Sequence, residues 1–172
     1  MRISSQSKNI KSKCDLSIVI VASNFNGKIT DNLIKGAKLA LKECGVKRIK
    51  IIRVPGAFEI PVAIKSIAQS GFEVDGFIAL GCVIKGETAH FAYVAEPVAH
   101  SLNRLSTELV LPIGFGVLAC YTPEQAYNRS RVNPINSDTN KGYETALAVV
   151  DMANLLNDIN RRHLKYQSSR CE

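Results

Sequence analysis

The sequence predicts an α/β fold, a four-stranded parallel sheet with helices on both faces. Three observations carry that expectation. Four short apolar runs, rich in β-branched residues, are each followed by a segment whose apolar residues recur at helical spacing. Strand–helix alternation repeated in this way gives a parallel sheet with right-handed crossovers. The chain has 172 residues and no linker-like, repeated or low-complexity stretch, so one domain with a sizeable core is expected.

The first run, LSIVIVA at 16–22, has the composition of a strand covered on both faces. After the polar SNFNGK, Thr30 is placed to cap a helix running to Cys44, with Gly45 as its stop. Leu33, Ala37, Ala40 and Leu41 fall on one side of it. RIKIIRV at 48–54 is the second strand, and Pro55-Gly56 ends it. A helix follows over 58–69, with Pro61 in its first turn, where a missing N–H costs nothing. GFIALG at 76–81 is the third strand. A long helix is predicted over 87–109, carrying Pro97 inside it. IGFGVLA at 113–119 is the fourth strand. Thr122-Pro123-Glu124 opens a short helix to Arg129, RVNPINSDT at 131–139 is a polar loop, and a last helix spans 140–161.

The formal charge of +7 raises the question of nucleic-acid binding. The excess lies at the ends. Arg2, Lys8, Lys11 and Lys13 precede any acidic residue, and Arg161, Arg162, Lys165 and Arg170 face only Glu172. The body between them is formally neutral, so bulk charge does not predict a phosphate-backbone binder. The domain is expected over 15–160, flanked by flexible basic tails at 1–14 and 161–172. No segment approaches the roughly 18 consecutive apolar residues of a membrane span. The five cysteines are widely spaced and never form CxxC, which suits a reducing compartment; the cytoplasm is the expected location.

In a parallel sheet, ligands bind beyond the carboxyl ends of the strands. That places the loops at 23–29, 55–58, 82–88 and 120–123 on one rim. Two motifs fail there. NGKIT at 26–30 resembles the end of a P-loop, but Ala22 stands where its first glycine is needed and Ile29 where Ser or Thr is needed. No G-x-G-x-x-G follows a strand. His90 and His100 lie on one helix about 15 Å apart by helix rise, on different faces, so no metal site is expected. Gly86-Glu87-Thr88 would supply free N–H groups for an anion at a helix start. His90, one turn inside, would be placed to exchange protons near neutral pH. Phe25, Phe58 and Glu59 reach the same rim. Residue chemistry alone leaves two readings open: caps and core residues, or a site for a planar polar ligand and a phosphate.

Six blocks then add a specific resemblance: FN (25–26), VPGAFEIP (54–61), LGCVIKGETAHF (80–91), GFGVL (114–118), PEQAYNR (123–129) and NKGYETALAVVDMANL (140–155), with PGAFEIP followed at the family's interval by GETAHF. The chain resembles the lumazine synthases of riboflavin biosynthesis across residues 15–156. The resemblance implies a flavodoxin-like three-layer sandwich and a condensation without cofactor or metal. The substrates would be 5-amino-6-(D-ribitylamino)uracil and (2S)-2-hydroxy-3-oxobutyl phosphate. By motif position, Phe25 would stack on the pyrimidine, and Ala57, Phe58 and Glu59 would hold its polar edge and ribityl chain. Cys82, Val83 and Ile84 would line the ring, Glu87 and Thr88 would cradle the phosphate substrate, and His90 would move protons. Phe115 and Arg129 would arrive from a neighbouring subunit, Arg129 to bind phosphate.

Some positions depart from the family pattern. Ala92 stands where an aspartate is common, and Lys85 where arginine is usual, which keeps the charge but not the bidentate fork. The segment from Arg129 to Asn140 is longer than in many members. The family forms pentamers, and in some members a closed sixty-subunit shell; the longer, proline-bearing segment favours a free pentamer here, or two face to face. A non-catalytic lumazine- or flavin-binding protein of the same fold is the rival reading.

Overall fold

The computed structural model describes residues 10–168, with side chains described as far as Arg161. Its order is β1 (Ser17–Ser23), α1 (Gly27–Glu43), β2 (Arg48–Val54), α2 (Ile60–Gln69), β3 (Gly76–Ile84), α3 (His90–Leu109), β4 (Ile113–Cys120), α4 (Pro123–Asn128) and α5 (Lys141–Ser168). All strand pairs are parallel and the sheet order is β2-β1-β3-β4. Ser17 pairs with Arg48, Ile18 with Gly76 and Phe77 with Ile113. The chain steps from β1 out to β2, then crosses back to β3 on the other side of β1. The carboxyl ends of β1 and β3 therefore flank a switch point, where loops part and leave a crevice.

Strand alternation divides the core in two. Ile18, Ile20, Ile78 and Leu80 face α1 and α5, meeting Leu33, Ala37, Leu41, Val149 and Val150. Val19, Val21, Phe77 and Ala79 face α2 and α3, meeting Ile60, Ile64, Val98, Leu102 and Leu105. The α/β sandwich with helices on both faces is as the sequence predicts. Helices α1 and α5 touch backbone to side: a Cβ at Gly142 would lie 2.0 Å from the Leu33 carbonyl oxygen. Gly45 and Gly71 both adopt positive φ (83° and 79°), the left-handed conformation in which glycine ends a helix without a Cβ penalty.

The differences from expectation gather at the rim. Helix α1 begins four residues early, at Gly27, and its N-cap is Asn26 in the left-handed region (φ 55°). Thr30, expected as the cap, is fully buried inside the first turn and donates to the Phe25 and Asn26 carbonyls. Strand β3 runs to Ile84 because β4 continues to pair with it as far as Cys120. Helix α3 then starts at His90, not at residue 87. Thr88 Oγ1 accepts from the His90 N–H at 3.4 Å, a local side-chain turn that competes with the helix over the preceding residues. Helix α2 opens at Ile60. At the other end, α5 continues to Ser168, through much of the segment expected as a tail from 161. Most of the expected N-terminal tail lies outside the described residues. Within them, no helix is long and apolar enough to cross a membrane.

Candidate active site

A cavity of about 670 Å³ opens at the switch point. Its walls come from the loops after β1 and β2, the end of β3 and the first turns of α3.

The β1–α1 loop presents Phe25 71% exposed while its backbone is held from several directions. The Phe25 N–H donates to the Pro55 carbonyl at 3.1 Å, and the Ser23 and Thr30 hydroxyls both point at the Phe25 carbonyl, at 3.3 and 3.4 Å. The next residue, Asn26, donates its side-chain amide to the Cys82 carbonyl at 2.8 Å. Arg53 spans Asp31 and the Ser23 carbonyl. An exposed ring on a pinned backbone spends little further ordering entropy on stacking against a planar ligand.

The β2–α2 loop folds on itself. Glu59 Oε2 accepts from the Gly56 N–H at 2.8 Å, and the Ala57 carbonyl accepts from the Ile60 N–H at 3.2 Å. Ala57 is thereby buried, whereas Phe58 projects with its side chain exposed. Cys82, Val83 and Ile84 form the floor. Burial first, and the neighbouring Cys120 second, push the Cys82 thiol up to about 12, so it is neutral at physiological pH and a poor nucleophile. Beyond it, Gly86, Thr88 and His90 line the opening, followed on α3 by Phe91, Tyr93 and Val94. With His90 as the first helical residue, its imidazole stands at the mouth and not one turn inside.

Of the residues singled out in the sequence, the cavity brings together Phe25, Ala57, Phe58, Glu59, Cys82, Val83, Ile84, Thr88 and His90. Three lie elsewhere. Glu87 is exposed on the turn but is not part of the cavity wall. Phe115 sits on the edge strand β4, 42% exposed. Arg129 caps the C-terminus of α4 and lines a second cavity of about 820 Å³, with Gln125, Asn128, Arg131, Thr139 and Lys141. Arg131 and Lys141 were not singled out from sequence; Lys141, at the start of α5, comes beside Arg129 only in the folded chain. Tyr93 and Val94 were also missed, although they follow His90 at helical spacing. The described residues hold no cluster of three or more His, Cys, Asp or Glu side chains able to bind a metal ion.

Comparison with known proteins bears on this arrangement. Residues 15–157 match the family model of 6,7-dimethyl-8-ribityllumazine synthase. The chain belongs to that family. Lumazine synthases of similar sequence include that of Streptomyces coelicolor, 40% identical over 151 residues, covering 88% of this chain and 91% of the relative. That of Pyrococcus furiosus is 42% identical over 140 residues, covering 81% and 85%. That of Streptomyces avermitilis is 39% identical over 145 residues, covering 84% and 88%. The matched stretch includes every residue of the two cavities named above, and the lumazine synthase family is one of riboflavin-biosynthesis enzymes.

Proposed function

We propose that this chain condenses 5-amino-6-(D-ribitylamino)uracil with (2S)-2-hydroxy-3-oxobutyl phosphate to 6,7-dimethyl-8-ribityllumazine, phosphate and water, without metal or cofactor. The observation that carries the reading is the cavity itself. It presents an exposed aromatic ring on a rigid loop, backbone groups along β3, and a hydroxyl and an imidazole at its mouth. Phe25 stacks on the pyrimidine, with Phe58 beside it and the Glu59 loop holding the ribityl chain. The amine of the pyrimidine forms an imine with the ketone and releases water, phosphate leaves by elimination, and the second amine closes the ring with loss of a second water. Each step moves protons, and His90 is placed to accept and return them. Holding two reactants in register supplies much of the acceleration, since imine chemistry proceeds without strong catalysts.

The phosphate subsite, in this reading, belongs to the neighbouring subunit. Arg129 and Phe115 lie outside the cavity of their own chain, so a second copy completes the site by bringing its β4–α4 edge to this rim. The assembly is a pentamer, free or paired face to face. Incubating the purified protein with both substrates and following lumazine absorbance tests the function. Saturable product formation is expected, and binding of both substrates without product would leave a non-catalytic lumazine-binding protein. Light scattering at physiological salt tests the assembly: about five times the 18.8 kDa chain mass is expected, and a megadalton particle would show a shell.

A further inference from the structure

The chain between Arg129 and Lys141 leaves the fold and returns to the same point. The Lys141 N–H donates to the Arg129 carbonyl at 2.8 Å, the Arg131 N–H donates to the Thr139 carbonyl at 3.0 Å, and Ser130 pairs antiparallel with Asn140 between them. The excursion so closed is bonded within itself. Asn136 Oδ1 accepts from the Asp138 and Thr139 N–H groups at 2.9 and 3.1 Å, and Thr139 Oγ1 donates to the Pro134 carbonyl at 2.7 Å.

Asn140 fastens this neck to the body. It is 1% exposed. Its side-chain amide donates to the Asn32 carbonyl of α1 at 3.0 Å and to the Arg131 carbonyl at 2.9 Å. Its Oδ1 accepts from the Tyr143 N–H at 3.2 Å, in the first turn of α5. One short side chain thus joins α1, α5 and the segment that follows Arg129. An aspartate of the same size would set carboxylate oxygens against two carbonyls, and an apolar residue would take the side-chain donor away from both. The seat is shaped for it: a Cβ on Gly36 of α1 would lie 2.1 Å from Asn140 Oδ1.

We propose that Asn140 is a positioning residue for Arg129. It clamps the neck of the 131–139 excursion to two helices, so that Arg129 leaves α4 at a fixed place and the length of the excursion does not disturb it. The inference rests on the reading of Arg129 as the phosphate-binding residue of a shared lumazine synthase site.

The test measures kcat and both Michaelis constants for the full-length protein and four variants. N140D keeps the size and the acceptor for Tyr143 but loses both donors. Its Michaelis constant for the phosphate substrate should rise about tenfold, within the range that a misplaced group costs. The constant for the pyrimidine and kcat should stay within about threefold. G36A, which pushes on the same amide from α1, should reproduce the effect more weakly, and it decides the matter if N140D does not fold. Replacing residues 133–137 by two glycines should leave the phosphate constant within about twofold, since the neck stays closed. A phosphate constant unchanged in both N140D and G36A, or a rise in both constants alike, would overturn the proposal, as would a phosphate effect in the shortened excursion equal to that of N140D. R129A separates the two readings. An unmoved phosphate constant in R129A removes the phosphate role and this proposal with it, whereas an impaired R129A beside a normal N140D removes the positioning role alone.

Discussion

The cavity at the ends of β1, β2 and β3 is walled by Phe25, Phe58, Phe91 and Tyr93 with a single imidazole at its mouth, whereas the cavity beside α4 is walled by Arg129, Arg131 and Lys141 with amides between them. The first offers stacking surface and a proton carrier but no guanidinium. The second offers three cations beside the Asp138 carboxylate, with Tyr121 as the one aromatic ring in its lining. A substrate pair consisting of a planar heterocycle and a phosphate ester needs both kinds of surface within one ligand's length. On the proposed chemistry, each chain would contribute one half to either of two sites, the rim of one copy meeting the edge of another.

Substitutions that disable one half at a time sharpen this contrast. The largest effect is expected at His90: H90A should lower kcat by about 10²-fold, at the weaker end of general acid–base contributions, because positioning persists without it. Stopped-flow measurement of lumazine formation in the folded variant reads this directly, and unchanged turnover would take His90 out of the reaction. Next comes R129A. Loss of a charge-assisted bond to phosphate should raise that substrate's Michaelis constant roughly 10- to 100-fold, with a smaller change for the pyrimidine. Steady-state kinetics with each substrate varied in turn would expose the opposite pattern. F25A removes a stacking face worth about 1–3 kcal/mol, so affinity for the pyrimidine or for lumazine should fall roughly tenfold while phosphate binding holds. Ligand fluorescence titration checks it, and equal losses for both ligands would mean a collapsed loop. The smallest effect concerns Cys82. Its thiol, raised to about 12 by burial and by Cys120, stays protonated through neutral pH, so alkylation there should be far slower than for a free thiol and should quicken only as pH climbs toward 12. Peptide mass spectrometry after timed iodoacetamide treatment measures the rate, and rapid labelling at neutral pH would contradict the burial argument.

The rim half was largely legible in the sequence, and the reason is local. Phe25, Phe58 and His90 each fall a few residues beyond a β-branched run, so strand–loop–helix order alone places them at one end of a parallel sheet. The two cores were legible for the same reason, through the alternation of Ile18, Val19, Ile20 and Val21. What was not legible depends on contacts distant in sequence or on backbone detail. The start of α3 moved to His90 because pairing with β4 extends β3 and the Thr88 hydroxyl turns the chain, neither of which a helical period records. Asn26 caps α1 in a left-handed conformation and ties its loop to Cys82, fifty-six positions away, so Thr30 looked like the better cap. Arg131 and Lys141 are separated by the excursion that Asn140 closes, and that closure puts Lys141 beside Arg129. Phe115 and Arg129 came from family resemblance alone; no spacing in the chain points to them as partners of His90.

Subunit mixing separates a site shared between copies from one held within a single chain. H90A and R129A chains carrying different tags would be co-expressed, and the oligomers holding both tags isolated. In a random mixture roughly a quarter of the interfaces between copies join an intact His90 rim to an intact Arg129 edge. A shared site predicts activity clearly above that of either parent variant, approaching that fraction of the unsubstituted enzyme. Oligomers shown to contain both chains, yet no more active than the average of their parents, would contradict it and return the whole site to a single subunit.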